Sequence, residues 1–339
     1  MVADDLTGAC DAGAPFAQSG FSASVVLDPA RIADCNSDLL AFSTETRNAH
    51  EDEAVRQVEL ACDRLIQDGR LVLFKKIDSV LRGSPFAEVQ AVRGKLGGAE
   101  VLLTPALPAQ GRLVVEGRLR LVDPTTGRRL EPEQEIPRAE GVRVVEAASD
   151  ADLRRAVTVA LEESPPPLFA GSAGLAEALA AELASRLLKQ TSPPSVEPSS
   201  QPALLVVGTE HPVTEAQVAV LLRAGAAIGK SLGEVTREPL RASTLVRLTW
   251  GTPPDLGPVA ARLRAGDVGA LVLSGGATAR YVLDSLCAGE VILGGELEPG
   301  TAWGRIRGGA ADSITTVTKS GGFGAEDLLL RILQVVAAR

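Results

Sequence analysis

Short apolar runs recur through this chain, each followed by a turn of small residues and then by a stretch with helical spacing of its apolar side chains. Leu271-Val272-Leu273 leads into Ser274-Gly275-Gly276-Ala277-Thr278 and on through Tyr281 and Leu286. Residues 314–318 lead into Lys319-Ser320-Gly321-Gly322-Phe323-Gly324, with Glu326 and Asp327 in the first turn of an expected helix. Leu168-Phe169-Ala170 leads into Gly171-Ser172-Ala173-Gly174 and a long alanine-rich helix. Further strands are expected at 24–27, 39–42, 71–74, 101–103, 142–145, 203–207, 270–273 and 314–317, with helices at 53–68 and 151–162. Strand–helix alternation of this kind predicts an α/β protein with mainly parallel sheets flanked by helices. Ligands in such sheets bind beyond the carboxyl ends of the strands, where these turns lie.

At 339 residues the chain is long for one core. The stretch KQTSPPSVEPSSQP, crowded with proline and serine, separates two expected domains, 1–189 and 203–339, with 190–202 as linker. The active site of such a pair is expected in the interdomain cleft. Residues 116–142, rich in Arg, Glu and Pro, read only as irregular or hairpin-like. Cys10, Cys35, Cys62 and Cys287 form no Cys-x-x-Cys pair and read as free thiols. With His50 and His211 as the only histidines, a multi-histidine metal centre is nearly excluded. The net charge of −9 argues against nucleic acid as a partner but leaves small anions open. The apolar runs are too short to cross a bilayer, and Met1-Val2-Ala3-Asp4-Asp5 opens no secretory signal, so a cytoplasmic location is expected, with no membrane partner. A homo-oligomer is compatible with the sequence, which sets no oligomeric state.

Glycine is needed where backbone approaches a ligand closely or takes positive φ. The helix that follows offers free amides and a partial positive charge, and Lys319 adds a full one beside its turn. One Gly-rich turn alone is most often a tight connection; two in one half, one beside a lysine, point to phosphate or nucleotide binding. No GxxxxGK[ST] sequence occurs, so this is not an ordinary P-loop.

In the first half, Asp4-Asp5-Leu6-Thr7 follows a very short first strand. The pair of carboxylates suits sugar hydroxyls or a general base, and equally suits a helix N-cap. Lys75-Lys76-Ile77-Asp78-Ser79-Val80-Leu81-Arg82-Gly83 wedges Asp78 and Ser79 between cations, an arrangement that can hold a carboxylate and accept a hydroxyl proton. The loop 105–112, with two prolines and a glycine, ends in Arg112 and by itself reads as a rigid structural turn.

Taken in order, ADDLTGA, K-x-DS-x-x-RG, PA-x-PAQGR, GSAGLA, SGG-x-T and KSGGFG resemble the four-carbon acid sugar kinase family, formerly a domain of unknown function, over residues 1–190 and 203–339. The resemblance implies an N-terminal domain for the sugar acid and a C-terminal domain for ATP, whose γ-phosphoryl passes, with Mg²⁺, to a hydroxyl of erythronate, threonate or 3-oxo-tetronate. It implies acid-sugar contacts from Asp4, Asp5, Thr7, Lys76, Asp78, Ser79, Arg82 and Arg112. ATP contacts are implied from Thr209 and His211, from Ser274, Gly275, Gly276, Ala277 and Thr278, and from Lys319, Ser320, Gly321 and Gly322. No metal ligands are assigned. This chain departs from the family pattern in reading Thr209-Glu210-His211 for Ser-x-Ser, Gly-Gly-Ala-Thr for GGET, and Val80 for threonine, and in having only Met1-Val2 before ADDLTG. It is also shorter around 116–142 and 227–266.

The expected mechanism aligns the sugar hydroxyl with the triphosphate, with Asp78, ahead of Asp5, accepting the hydroxyl proton. Two rivals are a sugar-acid or nucleotide sensor without turnover and an aspartyl phosphatase. The phosphatase needs Asp-x-Asp spacing, whereas adjacent Asp4 and Asp5 point opposite ways on a continuing strand.

Overall fold

A computed structural model describes residues 1–124, 126–190, 195–235, 239–250 and 254–337. Residues 191–194 of the expected linker lie outside the described residues. The chain divides into two compact units, Met1–Phe21 with Asp38–Ser192, and Ser22–Ser37 with Pro193–Arg339.

In chain order the elements begin with β1 (Val2–Ala3), α1 (Leu6–Gln18), β2 (Ala23–Val26), β3 (Leu39–Ser43), α2 (Glu51–Gln67), β4 (Phe74–Lys76), α3 (Pro85–Lys95) and β5 (Val101–Thr104). There follow β6 (Arg112–Val115), β7 (Arg118–Leu121), β8 (Gln134–Glu135), β9 (Val142–Val144), α4 (Asp150–Ala160), β10 (Leu168–Gly171) and α5 (Ala173–Arg186). All of these except β2 lie in the first unit. Its main strands run β3-β1-β4-β10-β5-β9 with every pairing parallel. The chain leaves β1 toward β3 but leaves β4 toward β5, so the order reverses between β1 and β4. That reversal opens a crevice at their carboxyl ends. The segment expected to be irregular or hairpin-like folds as the small antiparallel sheet β6-β7-β8.

Two local expectations change. The strand expected at 71–74 is β4, three residues later. Val2 pairs with Lys75, and Ala3 and Gly171 pair with Lys76, so both lysines are strand residues and Leu71 is exposed. Lys75 tolerates this burial because its ammonium meets Glu88 of α3 at 2.6 Å. Residues 22–37, expected in the first domain, group with the second unit, because β2 pairs antiparallel with β15.

The second unit adds β11 (Ala203–Val207), α6 (Pro212–Arg223), β12 (Ile228–Lys230), α7 (Leu232–Val235), β13 (Thr244–Arg247), α8 (Gly257–Arg264) and β14 (Ala270–Ser274). It is completed by α9 (Gly276–Ser285), β15 (Glu290–Glu298), β16 (Thr301–Arg307), β17 (Thr315–Lys319) and α10 (Leu328–Val336). Strands β12-β13-β11-β14-β17 are parallel, and β16, β15 and β2 extend the sheet antiparallel. Alternate residues Ala203, Leu205 and Val207 pack in one core with Val218 and Leu221 of α6 and Leu329, Ile332 and Val336 of α10. Here the order reverses between β11 and β14. The chain leaves β11 toward β13 and leaves β14 toward β17. Among the described residues no helix is long and apolar enough to cross a membrane.

Candidate active site

At the first crevice, Asp4 and Asp5 follow β1, Asp78 follows β4, and Arg47 stands four residues beyond β3. The parallel register that pairs Ala3 with Ser43 and Lys76 brings these three loops together. Arg47 is their hub. Its Nε and Nη2 donate to the two oxygens of Asp4, each at 2.9 Å, its Nη1 donates to Asp5 at 2.5 Å, and Nη2 lies 3.8 Å from Asp78. Gly83, at φ +79°, passes so close to the Arg47 backbone that a Cβ there would stand 2.8 Å from the Arg47 carbonyl oxygen.

Asp5 is the N-cap of α1, accepting from the Gly8 amide at 2.7 Å and from the Thr7 hydroxyl at 2.8 Å. The helix-cap reading therefore holds for it. Asp78 accepts from Arg82 through both oxygens, at 2.9 and 2.7 Å, and from the Arg82 amide at 3.1 Å. Burial pushes the Asp78 carboxyl up, but the hydrogen bonds from Arg82 and the charges of Arg47 and Arg82 prevail and hold it far below the usual range. Burial likewise raises Asp4, and Arg47, Lys76 and Lys75 outweigh it, leaving its pKa lowered. Burial opposes the charge on Arg47, and Asp5, Asp4 and Asp78 more than compensate.

Lys76 is buried and donates to the Ile77 carbonyl at 2.9 Å. Arg112, at the start of β6, is lowered by burial and raised by Asp78, with Arg82 opposing, so it shares their field. Ser79 is buried beside Asp78. Arg47, Lys76, Arg82 and Arg112 thus face Asp4, Asp5 and Asp78, an excess of positive charge that suits an anionic polyol. Ser172 of the GSAG turn caps α5 by accepting from Gly174, and donates to the Ala106 carbonyl, so it fastens the 105–112 loop.

At the second crevice, the register aligns Arg247, Val207, Ser274 and Lys319 across β13, β11, β14 and β17. The turns beyond them interlock. Gly275, at φ +103°, is the N-cap of α9, and its amide donates to the Lys319 carbonyl at 2.9 Å. Thr209 lies against the backbone of Gly275 and Gly321, and the His211 ring lies against Gly322. The first bond of α9 runs from the Ala279 amide to the Gly275 carbonyl, so the amides of Gly276, Ala277 and Thr278 have no acceptor within the helix. His211 caps α6 by accepting from the Val213 amide. The helix expected straight after KSGGFG starts only at Leu328, with Asp327 as its N-cap. At that turn the positive charge comes from Lys319 and not from a helix end.

Lys319 is fully buried, and its Nζ donates to Thr214 Oγ1 at 3.2 Å and to the Ser320 carbonyl at 2.7 Å. No described carboxylate pairs with it, and burial pushes it down from 10.5 to about 8. The Ser274 hydroxyl, also buried, makes no hydrogen bond. A buried cation without a counter-ion, an unpaired hydroxyl and three free amides fit a phosphate group. A bound anion should restore the Lys319 proton, so between pH 8 and 10.5 the binding of a phosphate-bearing ligand is expected to take up a proton. Calorimetry in buffers of different ionisation heat reads this directly. In the free protein the same group makes stability rise with pH from about 8 to 10.5, where the unfolded chain binds more protons.

A cavity of about 230 Å³ in the first unit, lined by Met1, Phe16, Leu40, Leu65, Phe74 and Leu179 among others, opens at the opposite, amino ends of the strands. Its walls are mainly apolar and hold none of the charged cluster.

Arg47 and Trp250 are not apparent from sequence motifs. TETRNAH carries no glycine turn, and its one signal is an arginine just beyond a strand end. Trp250, beyond β13, donates its indole N–H to the Gly208 carbonyl at 2.5 Å.

Comparison with solved structures establishes the fold. A Salmonella typhimurium protein described as a putative tRNA synthase superposes with TM-score 0.74 at 19% identity, covering 98% of this chain and 97% of that one. A Haemophilus influenzae protein of the DUF1537 family gives 0.70, also at 19% identity, over 96% and 97%. Both therefore share the α/β fold of this chain. The family model described as Sugar-binding N-terminal domain matches residues 1–136, and that described as Nucleotide-binding C-terminal domain matches residues 255–329. A D-threonate kinase of Bordetella bronchiseptica is 29% identical over 100% of this chain and 97% of its own length. A D-threonate kinase and a 3-oxo-tetronate kinase of Salmonella typhimurium are 25% and 24% identical over similar spans. The chain thus matches a sugar-binding and a nucleotide-binding domain model and is similar along its full length to four-carbon acid sugar kinases.

Proposed function

We propose that this protein transfers the γ-phosphoryl group of ATP to a hydroxyl of a four-carbon sugar acid of the threonate, erythronate or 3-oxo-tetronate type. The observation that carries the reading is the presence, one in each unit, of two chemically different crevices. One is rich in arginine and carboxylate side chains, and the other is built from a buried lysine, glycine turns and free amides. The names of the full-length relatives support the same reading.

In this proposal Arg82, whose side chain is 64% exposed, turns from Asp78 to the substrate carboxylate, joined by Arg112 and Lys76. That movement frees the Asp78 oxygens to orient the attacking hydroxyl and receive its proton as the new O–P bond forms and the bond to the β-phosphate oxygen breaks. Asp78 is ionised at neutral pH, as a base must be. A loose transition state asks it for position more than basicity. Asp4, Asp5, Thr7 and Ser79 line the sugar hydroxyls. Lys319, the amides of Gly276, Ala277 and Thr278, and the turns bearing Thr209, His211, Ser274, Gly275, Ser320, Gly321 and Gly322 hold the triphosphate. Mg²⁺ would neutralise the developing charge. Among the described residues no three His, Cys, Asp or Glu gather as a metal site, so no residue is assigned to hold it.

ADP release with a panel of D- and L-threonate, D- and L-erythronate and 3-oxo-tetronates tests the reading. One member should be turned over. Asp78→Asn should lower that turnover about 10²–10⁴-fold with ATP binding nearly unchanged. Full turnover in both Asp78→Asn and Asp5→Asn removes the base assignment. Tetronate and ATP binding without any turnover would favour the sensor.

A further inference from the structure

We infer that Trp250 is the platform on which the base of the nucleotide stacks, an inference that rests on the proposed nucleotide site and extends it beyond the phosphates. The chain has only two tryptophans and one tyrosine, and Trp250 and Tyr281 sit together beside the glycine turns. Trp250 is 49% exposed, yet its indole is not loose. Its N–H donates to the Gly208 carbonyl at 2.5 Å, and the Tyr281 ring meets it edge-on, with centroids 6.0 Å apart and an interplanar angle of 74°. The Tyr281 hydroxyl is in turn fixed by the Pro254 carbonyl at 2.7 Å.

Gly208 leaves room for this ring. A Cβ at that position would stand 3.1 Å from the indole Nε1 and 3.2 Å from Cζ2. An exposed aromatic face held by a backbone hydrogen bond and an edge contact is a surface to which a flat ligand can add at low entropic cost.

The sheet register gives the second argument. Trp250 lies beyond β13, and Lys319 ends β17, with β11 and β14 between them. Three strand spacings separate the two strand ends, but the indole reaches back over Gly208 beyond β11, so it stands about two spacings, roughly 10 Å, from the β17 position. An extended nucleoside triphosphate can bridge that separation between its base and its phosphates, with the Gly275 turn beneath the ribose and inner phosphates. Base–aromatic stacking tolerates any base with a π-face, so the platform should add affinity for nucleotides over bare polyphosphate more than it selects among purines.

The test uses the full-length protein with MgATP and with magnesium tripolyphosphate, which offers the phosphates without a base. MgATP should quench the Trp250 emission, while Trp303, buried in the sheet at 8% exposure, supplies a constant background. Trp250→Leu should abolish the quench and weaken MgATP at least about fivefold, with tripolyphosphate affinity unchanged. Trp250→Phe should recover most of the loss, and thermal melts confirm that both variants fold. Equal MgATP affinity in wild type and Trp250→Leu, with tripolyphosphate still bound, overturns the platform and leaves the phosphate site standing. Failure of wild type to bind either ligand overturns both.

Discussion

Arg47→Ala is expected to lower the stability of the first unit by about 3–5 kcal/mol, the range for removing one partner from a buried ionic network. Arg47 is only 14% exposed, and it compensates Asp4 and Asp5 directly and Asp78 at longer range. Without it Asp4 loses both of its hydrogen bonds to the guanidinium, and two buried carboxylates repel each other across adjacent positions. Arg47→Lys keeps the charge but cannot make the two-pronged contact, so it should fall between the variant and wild type. Urea unfolding at pH 7 reads the effect. The sign of the pH dependence follows from Asp4 and Asp78, whose folded pKa values lie below 3.8. Their contribution is complete above that value and is lost as the pH falls through the folded pKa values. In Arg47→Ala the acid-sensitive part carried by Asp4 should be largely gone, while Arg82 keeps most of that carried by Asp78. An unchanged urea midpoint in Arg47→Ala would mean the network is incidental.

Lys319→Met should behave in the opposite way. This ammonium is buried without a described carboxylate partner, so removing its charge relieves a desolvation cost and leaves no orphaned anion. The thermal midpoint should hold or rise. Nucleotide affinity should nevertheless fall roughly 10- to 100-fold, as for the loss of one charged hydrogen bond, and turnover about 10²–10³-fold. A variant that is stable but blind to nucleotide separates the binding role from a packing one. Unaltered ATP affinity would remove Lys319 from the site.

How far the sequence spoke depends on the kind of feature. The strand–turn–helix units announced themselves because buried parallel strands must be apolar runs and their turns need glycine. Residues 203–207, 270–273 and 168–170 accordingly match β11, β14 and β10 closely. Strand β4 did not, because its last two residues are lysines. Lys75 is neutralised by Glu88 thirteen positions away, and no local pattern reveals such a partner. The transfer of 22–37 to the second unit depends on β2 pairing with β15, more than 260 residues distant, which periodicity cannot see.

The two candidate crevices were legible as motifs but not as geometry. ADDLTGA and K-x-DS-x-x-RG are recognisable as separate pieces, whereas the arginine that ties them follows a third strand. Only the β3-β1-β4 order makes Arg47 their neighbour. Trp250 likewise follows β13, a strand absent from the sequence reading. The late start of α10 was hidden because Glu326 and Asp327 look like a helix first turn, while the structure gives Asp327 the N-cap position before Leu328.

The most direct measurement is phosphorus NMR of full-length protein incubated with MgATP and each tetronate in turn. The expected result is a phosphomonoester resonance on one four-carbon acid, growing in step with loss of the γ-phosphate signal and absent without the acid. ATP left intact with every tetronate, or hydrolysed to inorganic phosphate at a rate no tetronate alters, would contradict the proposed phosphoryl transfer to a four-carbon acid.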